Sequence, residues 1–167
     1  MNNFVHDVEI TKSDPEYFRI TLKNYKNINY EKPRNFYQKI AKNIYNKKII
    51  GWFQGGSEFG PRALGNRSIL ASPFPENMRD HVNNEVKFRE SFRPFAPSIL
   101  AEDTSEWFNL KIESPYMLLV SEINPKKKIE MNDEEIKLFG IEKLNIKRSE
   151  VPAVTHVDYS ARVQTVK

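Results

Sequence analysis

Residues 51–73 read GWFQGGSEFGPRALGNRSILASP, with an extended segment on each side of a long loop. Aromatic and aliphatic residues in KKIIGWF (47–53) predict a short buried strand, and SILAS (68–72) predicts a second strand that ends at Pro73. Between these runs, glycine and proline are too frequent for a helix or a strand. The stretch therefore predicts a strand, a loop that carries two arginines, and another strand.

Helices and strands are interspersed on both sides of this stretch. Apolar residues recur at intervals of three and four in 33–45 and in 76–90, which predicts two amphipathic helices. The fold class is therefore α/β, of the α+β kind. The other predicted elements are strands at 98–100, 115–123, 151–157 and 161–166, a short helix at 102–110 capped by Asp103 or Thr104, and an N-terminal arm with one short helix from Asp14–Pro15.

Composition limits the classes of function. Hydrophobic residues make up 39% and charged residues 29% of the 167 residues, which is a globular composition. No apolar run approaches the roughly 20 residues of a membrane span, and the N-terminus has no secretory pattern, so we expect a cytoplasmic protein without membrane contact. The chain has no cysteine, which excludes disulfides, thiolate metal sites and a cysteine nucleophile.

Charge is distributed unevenly along the chain. Residues 1–50 contain ten lysines and arginines against five acidic residues, whereas residues 51–100 contain six against five. The arginines of the middle third are therefore expected to contact a specific ligand, because they do not form a general field for polyanions. The charge runs of 124–150 predict an exposed excursion, helical in part around 132–145.

Cationic side chains fall in three clusters that favour an anionic ligand. The first is 58–67, where glycines allow close approach of the backbone and arginines can bind phosphate oxygens in pairs. The second is 87–97, where a helix ends and prolines stiffen the chain, and the third is the turn between the last two strand-like runs. Together they predict a site for a phosphorylated ligand, built from Arg62, Arg67, Lys87, Arg93 and Arg162.

Simpler roles compete for individual residues. Arg79 and Arg89 are expected to be solvated surface side chains, and His156 is read first as a hydrogen-bonded core histidine. No P-loop, H-E-x-x-H, cysteine/histidine pattern or G-x-S-x-G elbow occurs in the sequence. Since His6, His81 and His156 are far apart in sequence, no metal site within this chain is predicted.

Three long motifs resemble the C-terminal domain of the NodU/CmcH-type O-carbamoyltransferases. They are the opening stretch, VKFRESFRPFAPSIL (86–100) and VPAVTHVDYSARVQTV (151–166). The resemblance implies a YrdC-like twisted mixed sheet flanked by helices. It assigns 1–47 to a helical lead-in or arm and 48–167 to the domain, with a charged insertion at 124–150.

The resemblance also implies a reaction. The C-terminal half of such enzymes is expected to form carbamoyl adenylate from carbamoyl phosphate and ATP, which Mg²⁺ accompanies. A Kae1-like half with its own metal site is expected to transfer the carbamoyl group to a natural-product hydroxyl. By resemblance, the catalytic residues are Lys87, Arg93 and Arg62, and the residues that bind nucleotide and carbamoyl phosphate are Arg67, Arg162, His156 and Asn66.

The sequence departs from the family pattern at three places. Gly56–Ser57 replaces an arginine and a methionine, Tyr159–Ser160 replaces Gly-Thr, and the family's Ser-Phe-Asn segment would follow the final VQTV. We therefore expect a domain that is incomplete at its C-terminus and inactive or partial without that segment and the Kae1-like half. Two alternatives remain open: an RNA-binding module, because 1–50 is basic with interleaved aromatics, and an inactive fragment.

Overall fold

The structure, a computed structural model, describes residues 8–9, 30–31 and 34–167. It contains short strands and short helices, and it confirms the α+β class. The strands are β1 (Val8–Glu9), β2 (Tyr30–Glu31), β3 (Ile50–Phe53), β4 (Arg67–Leu70), β5 (Ser98–Leu100), β6 (Val120–Glu122), β7 (Ser160–Arg162) and β8 (Gln164–Val166). The α-helices are α1 (Phe36–Tyr45), α2 (Met78–His81), α3 (Thr104–Trp107), α4 (Asp133–Lys137) and α5 (Gly140–Leu144). The helix expected from Asp14–Pro15 lies outside the described residues.

The described strands pair two by two. β3 and β4 are antiparallel, β5 and β8 are parallel, β6 and β7 are antiparallel, and β1 and β2 are parallel. Because only Val163 separates β7 from β8, one extended stretch pairs with β6 along its first half and with β5 along its second. Parallel and antiparallel pairing thus both occur, but in two-stranded pieces where a single mixed sheet was expected. Prolines such as Pro97, directly before β5, interrupt the strands.

The first predicted strand begins later than expected. Lys47 has a φ of 63°, and the Lys48 N–H donates to the carbonyl of Asn43, so both residues belong to the turn that ends α1. The strand starts at Ile50, and its side chains alternate between half-buried and exposed. The expectation of a buried strand over 47–53 was wrong in its start and in its burial.

Two C-terminal strand predictions also change. In 115–123 only β6 is a strand, because Met117 has a φ of 52° and interrupts the extended chain. In 151–157 the chain instead forms a 3₁₀ turn at Pro152–Val154, since proline fixes φ and offers no N–H to a sheet. The run 161–166 is confirmed as strand, apart from its break at Val163.

The two middle helices differ from expectation in their details. α2 continues as a π-helical turn, Val82–Lys87, which ends at Phe88 with a φ of 48°. α3 follows a 3₁₀ turn, Ala101–Asp103, and Asp103 occupies its N-cap position as predicted, but no side chain makes a capping hydrogen bond there. The Thr104 hydroxyl instead donates to the carbonyl of Leu100 at 3.1 Å.

Two apolar clusters form the core of the described chain, and Phe95 packs against both. In the larger cluster, Ile123, Ala161 and Val163 have no exposed surface. Ala161 and Val163 flank Arg162, and side chains alternate along an extended chain, so core packing directs Arg162 to the opposite face. The larger cluster contains Phe108, Ile123, Val151, Val154, Ala161 and Val163; the smaller contains Met78, Val82 and Ala153.

The charged excursion is closed at its base by a bridge between Lys128 and Ser149. It carries α4 and α5, as the prediction of helix around 132–145 required, and a capping box at Asn132 begins α4. Arg148, near its end, is nevertheless almost fully buried. The excursion is therefore docked on the core rather than wholly exposed.

Two arginines expected at the surface are engaged in packing. Arg79 is buried, and it donates to the carbonyl of Leu144 at 3.0 Å and pairs with Asp80. Arg89 is half-buried, and its guanidinium lies 4.9 Å from the centre of the Phe95 ring. Both side chains cover apolar or backbone groups, which sequence alone did not indicate.

Candidate anion-binding site

The loop between β3 and β4 is organised around the carboxylate of Glu58. Its Oε1 accepts the N–H groups of Leu64 and Asn66, both at 2.7 Å, and that of Arg67 at 3.4 Å. The bonds from Asn66 and Leu64 contribute most to lowering the pKa of Glu58 from 4.5 to about 2. Glu58 is thus ionised at neutral pH and holds the loop in a fixed path.

Arg67 holds the same loop from its carbonyl side. Its guanidinium donates to the carbonyls of Gln54 at 2.7 Å, Asn66 at 2.9 Å and Gly55 at 3.0 Å. It also lies 3.4 Å from the centre of the Phe53 ring. A phosphate contact by Arg67 stays a prediction, and in this structure the side chain binds its own loop.

Asn66 contributes to the same arrangement. Its Nδ2 donates to the carbonyl of Gly56 at 2.7 Å, and its Oδ1 accepts from the Gln54 side chain at 3.4 Å. Gly60 and Gly65 have φ values of 124° and 119°, which other residues rarely adopt. The glycines of this loop therefore permit its path, and charged and amide side chains stabilise it.

Arg62 and Arg162 each have a buried donor atom without a hydrogen-bond acceptor among the described residues. In the part of the chain that the structure describes, their Nε atoms are the buried side-chain nitrogen or oxygen atoms without a hydrogen-bond partner. An unsatisfied buried donor costs about 1–3 kcal/mol, so such atoms are retained where a ligand supplies the acceptor. Arg62 and Arg162 are both half-buried.

A single hydrogen bond joins the two stretches of chain that carry these arginines. The buried Gln164 side chain donates from Nε2 to the carbonyl of Leu64 at 2.9 Å, and joins the loop to β8. Arg162 and Arg62 each lie two residues from this bond, within about 8 Å along their own chains. The structure thus brings the first and third sequence clusters together.

The turn before β7 places three polar side chains in a hydrogen-bonded row. The Ser160 hydroxyl donates to Oδ1 of Asp158 at 2.6 Å, and its oxygen lies 3.1 Å from Nδ1 of His156. These Ser160 bonds are the main cause of the lowered pKa of Asp158. Burial lowers the pKa of His156, and the positive charge of Arg162 adds to this effect. His156 is hydrogen-bonded as expected, but it is only half-buried.

Lys87 and Arg93 lie on either side of the bend that follows the π-helical turn. Both are exposed; Arg93 pairs with Glu90 at 3.0 Å, and Lys87 forms no hydrogen bond or ion pair within residues 34–167. Among the hydrogen bonds and ion pairs of those residues, none links Lys87 or Arg93 to the loop or to the 156–162 turn. Their convergence with Arg62 therefore stays a prediction.

Two organising residues were missed by the sequence analysis. Asn83 is fully buried, accepts from Arg89 at 2.7 Å and donates to the carbonyl of Arg93 at 2.9 Å, so it shapes the bend. Nothing in the amphipathic pattern distinguishes it from the other polar positions of the helix. Glu58 did carry a signal, since it is the one acidic residue in a stretch rich in glycine and arginine.

The described part of the chain contains neither a metal-binding group nor a membrane-spanning helix. No three histidine, aspartate or glutamate side chains there are grouped so that they could hold a metal ion. None of the helices described is long and apolar enough to cross a bilayer.

Known proteins are similar to this chain in sequence. The chain is 50% identical over 137 residues to the uncharacterized protein sll1178 of Synechocystis sp., which covers 82% of this chain and 22% of that protein. It is 46% identical over 124 residues to the nodulation protein NolO of Bradyrhizobium diazoefficiens, covering 72% of this chain and 19% of NolO.

A relative with a named activity shows a similar match. The chain is 41% identical over 120 residues to the 3'-hydroxymethylcephem-O-carbamoyltransferase of Amycolatopsis lactamdurans, covering 72% of this chain and 19% of that enzyme. The chain thus spans about a fifth of the length of these relatives. The sequence profile described as "Carbamoyltransferase C-terminus" matches residues 41–167. Since this match covers most of the sequence, the chain belongs to the carbamoyltransferase C-terminus family.

Proposed function

We propose that this chain binds carbamoyl phosphate and ATP and forms carbamoyl adenylate for the O-carbamoylation of a natural-product hydroxyl. The observation that carries the proposal is the pair of buried, unpartnered Nε atoms on Arg62 and Arg162, in two stretches of chain that the bond from Gln164 to Leu64 joins. Anionic oxygens are the acceptors that guanidinium groups bind best. The carbamoyltransferase family and the named cephem O-carbamoyltransferase support the identity of the ligands.

The proposed chemistry uses two anionic substrates. Water splits carbamoyl phosphate into carbamate and inorganic phosphate. A carbamate oxygen then attacks the α-phosphorus of ATP, the bond from that phosphorus to the bridging oxygen breaks, and pyrophosphate leaves. Because charge on phosphate oxygens accompanies each step, fixed cationic groups and correct positioning provide most of the catalysis.

The described residues fit this task in different ways. Arg62 and Arg162 would bind phosphate or carbamoyl oxygens, and the exposed Lys87 and Arg93 would bind the nucleotide phosphates as those substrates enter. Arg67 and Asn66 would act through the loop they stabilise. Mg²⁺ would arrive bound to the ATP phosphates, since the described side chains form no metal-binding group of their own.

The proposal includes a partner and a location. The relatives are about five times as long as the matched region, so a second, Kae1-like unit is proposed to carry the carbamoyl group to its acceptor. The reaction is proposed to occur in the cytoplasm, where ATP is available.

Isotope exchange tests the reaction directly. Because the adenylating step is reversible, labelled pyrophosphate is expected to enter ATP when carbamoyl phosphate is present, with the chain alone or with a relative's transfer unit added. Omitting carbamoyl phosphate is the control. Exchange that is equally fast without carbamoyl phosphate, or that is absent in both assemblies, would contradict the proposed function.

A further inference from the structure

The hydrogen bonds among Asp158, Ser160 and His156 fix the orientation of the His156 ring as well as the shape of the turn. Asp158 Oδ1 accepts the Ser160 N–H at 3.0 Å and the Ser160 O–H at 2.6 Å. The backbone N–H of His156 in turn donates to the Ser160 carbonyl at 2.8 Å. Backbone and side chains therefore hold the serine oxygen and the imidazole in one relative orientation.

This geometry selects a tautomer of His156. A serine hydroxyl has one proton, and Ser160 donates it to the ionised Asp158. At 3.1 Å from that oxygen, Nδ1 of His156 can form a hydrogen bond only as the donor. The neutral ring then carries its proton on Nδ1, and Nε2 is left as an acceptor.

The surroundings keep the ring neutral and Nε2 available. Burial favours the uncharged imidazole and lowers its pKa; Asp158 opposes this effect, while Arg162 and Arg148 reinforce it. Among residues 34–167, no group forms a hydrogen bond with Nε2. Ser160, which holds the ring, and Arg162 are two residues apart on β7 and so project from the same face of that strand. The neutral acceptor of His156 and the unpartnered buried Nε of Arg162 therefore belong to one face of β7.

A ligand that matches this pair must offer an acceptor and a donor close together. The carbamoyl group does so, because its oxygen accepts and its NH₂ donates. We infer that Nε2 of His156 accepts a hydrogen bond from the carbamoyl NH₂ while Arg162 binds an adjacent oxygen, so that this pair selects carbamoyl phosphate over acyl phosphates without an N–H. The inference rests on the proposed function and names the specificity-determining residue within it.

The tautomer can be measured without any ligand. Long-range ¹H–¹⁵N spectra of the labelled chain at pH 7.5 are expected to show His156 protonated on Nδ1. Ser160→Ala removes the oxygen that orients the ring, and both tautomers are then expected. A wild-type ring protonated on Nε2 would overturn the inference while leaving the proposed function intact.

Selectivity is measured with carbamoyl phosphate and acetyl phosphate, which differ by NH₂ against CH₃. Isothermal titration is expected to show wild-type protein binding carbamoyl phosphate about tenfold more tightly than acetyl phosphate. His156→Leu should bind carbamoyl phosphate more weakly, because the acceptor for its NH₂ is gone. The dissociation constants for carbamoyl phosphate and acetyl phosphate should then agree within about twofold. His156→Gln, whose amide oxygen can replace Nε2, is expected to keep part of the preference.

His81→Leu is the matched control, because His81 is exposed at the end of α2, and it should keep the wild-type preference. If His156→Leu keeps the wild-type preference for carbamoyl phosphate, the inference is wrong while the proposed function stands. Equal wild-type binding of the two ligands would do the same. Wild-type protein that binds neither acyl phosphate would instead overturn the proposed function, and the inference with it.

Discussion

At the scale of single residues, two opposite charges satisfy the backbone of the arginine loop. The Glu58 carboxylate accepts hydrogen bonds from N–H groups of the loop, and the Arg67 guanidinium donates to its carbonyls. A segment too irregular for a helix or strand thus still has its polar groups paired. This division explains why Arg62, which has no such partner, is left for a ligand.

Glu58→Gln tests this role through pH. The folded-state pKa of about 2 lies below the reference value of 4.5, so the carboxylate stabilises the fold above pH 4.5, and this contribution is lost as pH falls towards 2. Wild-type protein should melt at a higher temperature than the variant at pH 6, and the difference should vanish near pH 2. Thermal melting monitored by circular dichroism between pH 2 and 6 measures it. A difference that does not depend on pH would contradict the role.

Arg148 is a second residue whose removal should be costly. Its buried guanidinium contacts the carbonyls of Lys143, Leu144, Thr155 and His156, and no carboxylate pairs with it among the described residues. Arg148→Met removes the donor of all four contacts from a buried position, so the free energy of unfolding should fall by about 3 kcal/mol in urea titrations.

Lys147→Ala is the control for Arg148, because its ammonium pairs with Glu76 at the surface and should contribute under about 1 kcal/mol. Equal losses in the two variants would show that Arg148 has no special role.

At the scale of elements, the charged excursion 124–150 contacts the turn that carries His156. Tyr159, which has a φ of 65°, donates from its hydroxyl to the carbonyl of Ile129 at 3.1 Å and accepts the Met131 N–H at 3.2 Å. Arg148 holds the other side of the turn through the carbonyl of His156. The excursion thus supports the site from outside it.

Tyr159→Phe should loosen this contact. Without the hydroxyl, the Met131 amide loses its acceptor, and its hydrogen exchange should accelerate about tenfold while exchange in β6 and β7 changes little. Exchange measured by NMR resolves the two regions. Tyr116→Phe removes an exposed hydroxyl without a partner in residues 34–167 and should change neither region. Unchanged exchange at Met131 in Tyr159→Phe would refute the contact.

Local patterns predicted the existence of most elements, but not their limits. The 3.6-residue period of α1 and the turn formers of the loop are properties of neighbouring residues, and both predictions were confirmed. By contrast, helices and predicted strands end or break at Lys47, Met117 and Phe88. These residues have left-handed backbone conformations although none of them is a glycine. The burial of Arg148 and Asn83 depends on carbonyls in the turns next to them, whose path periodicity cannot indicate.

At the scale of the whole molecule, the structure joins the first and third sequence clusters, while the contribution of the second to the candidate site stays a prediction. The sequence clusters predict which cations would take part, because arginine and glycine have distinctive chemistry. They did not show that Gln164 joins the first cluster to the third, or that Arg67 binds its own loop. Those facts depend on the tertiary path of the backbone.

Lys87→Ala and Arg93→Ala test the second cluster. Both side chains are exposed, so the melting temperature should stay within about 2 °C of wild type, whereas affinity for ATP should fall at least tenfold in isothermal titration. Lys126→Ala, another exposed lysine, should change neither quantity. If either Lys87→Ala or Arg93→Ala unfolds the protein, that residue is structural and its assignment to the site is wrong.

The most direct test of the central claim is the affinity for carbamoyl phosphate when each buried Nε is removed. Isothermal titration should show saturable binding to wild-type protein and to Arg34→Gln, which changes an exposed arginine before α1. Arg62→Gln and Arg162→Gln should each weaken binding at least tenfold while the folded proteins melt as cooperatively as wild type. Undiminished binding in both variants, or no binding to wild-type protein, would contradict the claim that these two arginines form an anion site.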